Sequence, residues 1–177
     1  HALSADLGAI LEVHRAAFDS DVEPRLVSEL LASADASLRQ SVVAETDAGV
    51  VAHVLLTSGH APGVPDVQFS ILAPLAVLPA HQNRGFGGAV TRFALEAARD
   101  RETDCVCVLG DPRDDGRFGF VARMPHGPWP PVALAAEHHW AWQSLWLTPI
   151  PDITRGRLDG VRVQWAPPLR PAELWGP

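Results

Sequence analysis

Lysine and tyrosine are absent from the 177 residues, methionine occurs once and cysteine only twice. Each shortage excludes something. A phosphate loop of the Gly-x-x-x-x-Gly-Lys-Ser/Thr type needs its lysine to reach the phosphates, so that class is closed. Cys105 and Cys107 are too few for a metal site. Two apart in a strand, they point to one face at a spacing unsuited to a disulfide. They read as small apolar residues of a buried strand, and a cytoplasmic protein is the expectation that follows. No apolar run approaches the roughly 18 residues of a membrane span, and His1-Ala2-Leu3-Ser4 has neither the charged nor the apolar region of a signal peptide. Basic charge is also short, 14 arginines against 21 acids for a net charge of −7. That balance argues against nucleic acid or an anionic membrane as partner and is compatible with a cationic one.

What is present reads as one globular domain over residues 1–177, with 47% hydrophobic and 20% charged residues. Ser4 or Asp6 caps a first helix carrying Leu7, Ile10, Leu11, His14 and Phe18 at helical spacing. Pro24 marks the start of a second helix with Leu26, Val27, Leu30 and Leu31. Arg39 to Glu45 and Val50 to Thr57 read as strands joined by Thr46-Asp47-Ala48-Gly49. A long strand from Asp66 to Val77 follows a loop at Pro62 to Pro65. Further on, an apolar stripe (Ala89, Val90, Phe93, Ala94, Ala97, Ala98) predicts a helix. The continuous apolar run Cys105 to Leu109 predicts a parallel strand covered on both faces. Gly110-Asp111-Pro112 reads as turn, N-cap and first residue of a brief helix ending near Arg117. Pro125, Pro128, Pro130 and Pro131 mark a long loop, and Trp140 to Leu147 and Gly160 to Trp165 read as strands. The segment 123–177 is too short for its own core and is expected to add strands to the same sheet. The whole predicts an α/β fold: a mixed sheet with helices packed on it.

The chain is organised around Val77-Leu78-Pro79-Ala80-His81-Gln82-Asn83-Arg84-Gly85-Phe86-Gly87-Gly88. A strand stops at Pro79, passes through a polar turn, and restarts as a helix behind three glycines. Such a turn leaves backbone N–H groups unpaired at the positive end of a helix dipole, where they can hold phosphate. A dinucleotide fingerprint is excluded, because the glycine it needs three residues beyond Gly87 is Val90. What remains, Gln82-x-x-Gly85-x-Gly87 preceded by Val77-x-Pro79, resembles the acetyl-coenzyme A signature of the GNAT superfamily of N-acetyltransferases. A second block, Leu109 to Phe120 (with Gly110-Asp111-Pro112 and Arg117-Phe118-Gly119-Phe120), is similar to one branch of predicted acetyltransferases. That branch has two tyrosines where this chain has Asp114 and Asp115.

The resemblance implies the GNAT fold, a mostly antiparallel mixed sheet with helices on both faces. It also implies acetyl-CoA as acyl donor, an amine of a small molecule or peptide as acceptor, and no metal. The main chain of Ala76 and Val77 would pair with the pantetheine arm. The N–H groups from Gln82 through Asn83, Arg84, Gly85, Phe86 and Gly87 to Gly88 would hold the pyrophosphate. Arg84 is either an ionic contact or a solvated turn residue, Phe86 a packing residue or a cofactor contact, and Gln82 is alternatively a brace for the turn. The Val77 N–H would serve as a one-donor oxyanion hole. In this family a tyrosine five residues before the Gly-Phe phenylalanine protonates the departing sulfur, and here that position is Asp115. Asp115 is therefore either catalytic or a helix-surface residue. An acyl-CoA-binding domain without turnover is the rival reading, and a structural protein with an idle turn the next. Glu29, His53, His60, His138 and His139 are candidate general bases by residue type, and His138-His139 is half a metal site at most.

Overall fold

The computed structural model describes residue 2 and residues 4–33, 38–122, 127–149 and 151–175. Helices α1 (Leu7–Phe18) and α2 (Val22–Ala32) come first. The second begins two residues before Pro24, which sits in its first turn, where a missing N–H breaks no intrahelical bond. Strands β1 (Leu38–Thr46) and β2 (Gly49–His60) form the expected hairpin. Strand β3 (Phe69–Val77) starts later than Asp66, because two backbone turns, Val64 N–H to Ala61 O and Val67 N–H to Val64 O, hold the approach to it. Then come α3 (Phe86–Asp100), β4 (Cys105–Leu109), the single turn α4 (Pro112–Asp115), β5 (Val121–Ala122), β6 (Trp142–Trp146), α5 (Asp152–Leu158) and β7 (Gln164–Trp165).

The seven-stranded sheet runs β1-β2-β3-β4-β6-β5, with β7 pairing the end of β2. Every pairing is antiparallel except β3 with β4. This is the mixed, mostly antiparallel GNAT arrangement that the resemblance implies. The segment after residue 123 contributes β6 and β7 to the sheet. Of the run Gly160 to Trp165 only Gln164–Trp165 is strand, Arg162 making a lone bridge to Trp129. Helix α5 carries little sequence signal, since Gly156 interrupts it in the middle. Pro125 lies outside the described residues.

Strand alternation sorts side chains onto two faces. Leu55, Phe69, Ile71, Cys105 and Cys107 join α1, α2 and the C-terminal Trp165 and Trp175 in one apolar cluster. Ala52, Val54, Leu56, Leu72, Val106 and Val108 pack with Val90, Ala94, Leu95 and Ala98 of α3 in the other. Of the stripe expected from the sequence, Val90, Ala94 and Ala98 cover this second face together with Leu95, whereas Ala89 and Phe93 turn to solvent, because the helix is rotated toward Leu95.

One irregularity sets up everything that follows. Leu56 stands opposite Leu72, but Val54 stands opposite Leu75, so β3 holds one extra residue around Ala73-Pro74. A single added residue turns the rest of a strand over. Accordingly Phe69, Ile71 and Ala73 face the first cluster, whereas Leu75 and Val77 face the second. The parallel pairing with β4 spans only Phe69 to Ile71 against Cys105 to Cys107 and ends at this bulge. Beyond it β3 continues to Val77 beside β2, while β4 reaches Leu109 beside β6. The two facing strand edges part, and a cleft opens between them.

Candidate active site

The cleft has two lobes. The first, about 690 Å³, is walled by Leu75, Ala76 and Val77 of β3 and by Gln82, Asn83, Gly85, Phe86, Gly87 and Gly88 of the turn. Gly85 has φ of 89° and Asn83 of 57°, the left-handed conformations that bend the chain from β3 into α3. Among the described residues, no close and well-aligned hydrogen bond is made by the N–H of Asn83, Arg84, Gly85, Phe86, Gly87 or Gly88; the neighbouring N–H groups of His81 and Gln82 are used, by Leu78 O and Pro79 O. Six consecutive amides are thus left for a partner at the dipole-positive end of a 15-residue helix. Gly87 lies so close to β3 that a Cβ there would stand 3.3 Å from the Val77 side chain.

The β3 edge contributes an amide as well. Leu78 N–H donates to Val51 O at 2.9 Å, and Ala52 stands opposite Val77. Antiparallel partners alternate inward and outward, so the Val77 amide points away from β2, toward the cleft. From the same side Gln82 Nε2 donates to Val77 O at 3.2 Å, bracing the turn against the strand. Phe86 lines the lobe and also meets His81 edge to face. Arg84 is exposed and does not belong to the wall.

The second lobe, about 520 Å³, lies beneath α2 between β3, β4 and the C-terminal segment. Phe18, Leu75, Asp114 and Asp115 line both lobes, so the two meet there. Asp115 is held in place: Gln143 Nε2, from β6, donates to Asp115 Oδ2 at 3.0 Å and to Gly110 O at 3.2 Å. A Cβ on Gly110 would stand 2.3 Å from that carboxylate oxygen, so only glycine leaves it room. Burial raises the Asp115 pKa above the ordinary aspartate value and the Gln143 hydrogen bond opposes it, with Asp114 adding to the rise. Asp111 caps α4 through Arg113 N–H at 2.9 Å, and its ion pair with Arg113 holds its pKa at about 2.

None of Glu29, His53, His60, His138 or His139 lines either lobe. Glu29 faces Arg25 on the outside of α2, and His139 donates to Leu134 O. Among the described residues no group of three His, Cys, Asp or Glu is placed to hold a metal ion, and no helix is long and apolar enough to cross a membrane. His53 is fully buried, with Nδ1 2.8 Å from His14 Nε2 and Nε2 2.9 Å from Ser41 Oγ. Burial lowers the pKa of His14 to about 4, and burial together with His14 lowers that of His53 to about 3. Both are therefore neutral at pH 7. The tautomers that leave no buried N–H unpaired have His14 donating to His53 and His53 to Ser41, with the bare His14 Nδ1 as the orphan. Sequence reasoning did not find Gln143 or Glu23. The only signal for Gln143 is an amide in a strand buried among tryptophans.

Residues 7–117 match the model of the Acetyltransferase (GNAT) family. The chain is 33% identical to YjhQ, an uncharacterized N-acetyltransferase of Escherichia coli K12, over 156 residues, 87% of this chain and 86% of that protein. Its structure superposes on YhbS, a GNAT N-acetyltransferase of E. coli solved in complex with CoA, with a TM-score of 0.75 and 26% identity, covering 94% of this chain and 88% of the other. A GNAT acetyltransferase from Brucella melitensis in complex with acetyl-CoA gives a TM-score of 0.68 and 29% identity over 85% and 88% of the two chains. Bulged strand, glycine turn and matched sequence coincide over the same residues: the chain belongs to the GNAT acetyltransferase family.

Proposed function

We propose that this chain transfers the acetyl group of acetyl-CoA to the nitrogen of a small amine, the two substrates entering from the two lobes. The observation that carries this reading is the row of six unpartnered amides from Asn83 to Gly88 opening on a cavity that ends at Asp115. Relatives in complex with CoA and acetyl-CoA support the choice of donor. The diphosphate lies on the amides, where helix dipole and N–H groups act together. The pantetheine arm follows the free edge of β3 at Ala76 and Val77 as an added strand would.

The acceptor arrives protonated, and its nitrogen must lose a proton before it can attack. Asp115, ionised and held by Gln143, takes that proton as the nitrogen closes on the thioester carbon. The carbonyl oxygen gains charge against the Val77 N–H. The C–S bond then breaks, Asp115 returns its proton to sulfur, and the second nitrogen proton passes to water. Because the thiol has a pKa of about 8.5, sulfur leaves without needing a strong acid, so a carboxyl can stand where the family has tyrosine.

The test pairs binding with turnover. Acetyl-CoA should raise the melting temperature, since at about a hundred times Kd a ligand of the folded state adds about 2.7 kcal/mol. Thiol release should then depend on added amine. Binding without amine-dependent release from a broad panel would refute the transfer reading and leave a coenzyme-binding domain.

A further inference from the structure

The second lobe carries a charge pattern from which the acceptor's chemical class follows. Its wall is largely apolar, formed by Leu26, Ile71, Leu109, Leu169, Leu174 and Trp175. Among the described residues its ionisable lining is acidic: Glu23, Asp111, Asp114 and Asp115. Asp111 is already neutralised by Arg113. Glu23, from the first turn of α2, has its Oε2 sealed from solvent with no hydrogen-bond partner among the described residues. A buried carboxylate oxygen without a donor is costly, and such groups are stable when a cation or donor reaches them. Carboxylates alone define no site. Here they stand in a cavity that shares Phe18, Leu75 and two aspartates with the lobe of the unpartnered amides.

We infer that the acceptor is a small monocationic amine on an apolar body, an aralkylamine or alkylamine without a carboxylate of its own. This rests on the acetyl-transfer reading and deepens it. The ammonium faces Asp114 and Asp115 at the junction of the lobes, while the body lies against Ile71, Leu109 and Trp175. Glu23, from the side of α2, adds a further negative charge to the lobe. An amino acid of the same body would bring a carboxylate into a wall whose described ionisable residues are all acidic, Arg117 lying across the junction in the other lobe, and like charges in a partly desolvated site repel strongly. A polyhydroxylated or polycationic amine would leave its polar groups against leucine and tryptophan with no partners.

The experiment compares acceptors that differ only by a carboxylate, phenethylamine with phenylalanine and tryptamine with tryptophan, by thiol release at fixed acetyl-CoA. We expect kcat/KM for each amine to exceed that of its amino acid by about a hundredfold or more, from the repulsion. Glu23→Gln should narrow that ratio by raising the amino-acid rate, with the KM for acetyl-CoA unchanged. Equal rates within each pair, a preference for hydroxylated or polycationic amines, or acetylation confined to peptide N-termini would each overturn the inference while leaving acetyl transfer intact. A readout independent of turnover is the thermal shift caused by N,N-dimethylphenethylamine in the presence of CoA, since this tertiary amine cannot give a stable amide. A shift that its carboxylate-bearing counterpart, N,N-dimethylphenylalanine, fails to produce supports the lobe's preference for a carboxylate-free amine whether or not an amine is acetylated, so failure of the transfer reading is read separately. No shift from either compound overturns it.

Discussion

The lobe at the glycine turn and the lobe beneath α2 share a wall at Leu75, Asp114 and Asp115 but are made of different parts. The first is made mainly of main chain: six amides in sequence order, a helix dipole, and glycines that bring them close to β3. The second is made of side chains drawn from α1, α2, β3, β4, α4 and the C-terminal turns. A backbone site binds a feature common to every acyl-CoA, its diphosphate, and can persist while the surrounding side chains drift. A side-chain site can be rewritten residue by residue; here its described ionisable residues are Glu23, Asp111, Asp114 and Asp115.

The contrast can be broken most sharply by Gly87→Glu. A carboxylate placed at the turn, against Val77, should weaken acetyl-CoA binding by about a hundredfold or more, about 2.7 kcal/mol, measured by calorimetric titration. A folded variant with wild-type affinity would remove the turn from the donor site.

At the junction, Asp115→Asn keeps the acceptor atom for Gln143 and removes the carboxylate proposed as base. We expect kcat to fall by about a hundredfold, the lower end for a general acid or base, with little change in the KM for acetyl-CoA. The wild-type rate should rise with pH through a pKa above the ordinary aspartate value, since the carboxylate is the active form, and the variant should lose that limb. Stability should move the other way. The raised pKa means that the folded state binds this proton more tightly than the unfolded one. Its contribution is thus present at low pH and lost as pH rises through the folded pKa. Asp115→Asn should therefore melt higher than wild type at pH 7 and lose that advantage near pH 4.

Gly110→Ala sharpens the same point with a smaller effect. Its Cβ would stand 2.3 Å from Asp115 Oδ2 and must displace the carboxylate. If Asp115 is the base as proposed, its displacement should cost about tenfold in kcat, less than removing it, with coenzyme affinity unchanged.

Beneath both lobes, His14 and His53 tie α1, and with it Phe18, to the sheet. Their folded pKa values of about 4 and about 3 lie below the unfolded value of 6.5. The unfolded chain takes up their protons first as pH falls, so stability is full above about 6.5 and declines below it. Unfolding free energies from urea titrations at pH 7 and pH 4.5 should differ by about 2 kcal/mol or more, with a lower midpoint at pH 4.5, and His53→Gln should flatten that dependence. A pH-independent midpoint would mean that the pair is not buried as the structure has it.

The same division explains what was legible in the sequence. Gln82-x-x-Gly85-x-Gly87 could be read because amides and glycines act through consecutive positions, and α3 because its stripe has a helical period. Strands β2, β3 and β4 were legible from apolar runs. The extra residue at Ala73-Pro74 was not, because a bulge is a mismatch between two strands and neither strand shows it alone. Glu23, Gln143 and Trp175 meet Asp115 or its lobe only through tertiary packing, from positions up to 152 residues apart along the chain. Residue type offers Glu29, His53, His60, His138 and His139 as bases, but folding sets Glu29 beside Arg25 on the outside of α2 and commits His53 to His14 and Ser41.

Backbone amide NMR of the protein titrated with acetyl-CoA tests the donor site most directly. The amides of Asn83 to Gly88 should shift further than any others and their hydrogen exchange should slow, because they gain the acceptors they lack. Binding that leaves these six signals unmoved would contradict the assignment of the turn as the diphosphate site.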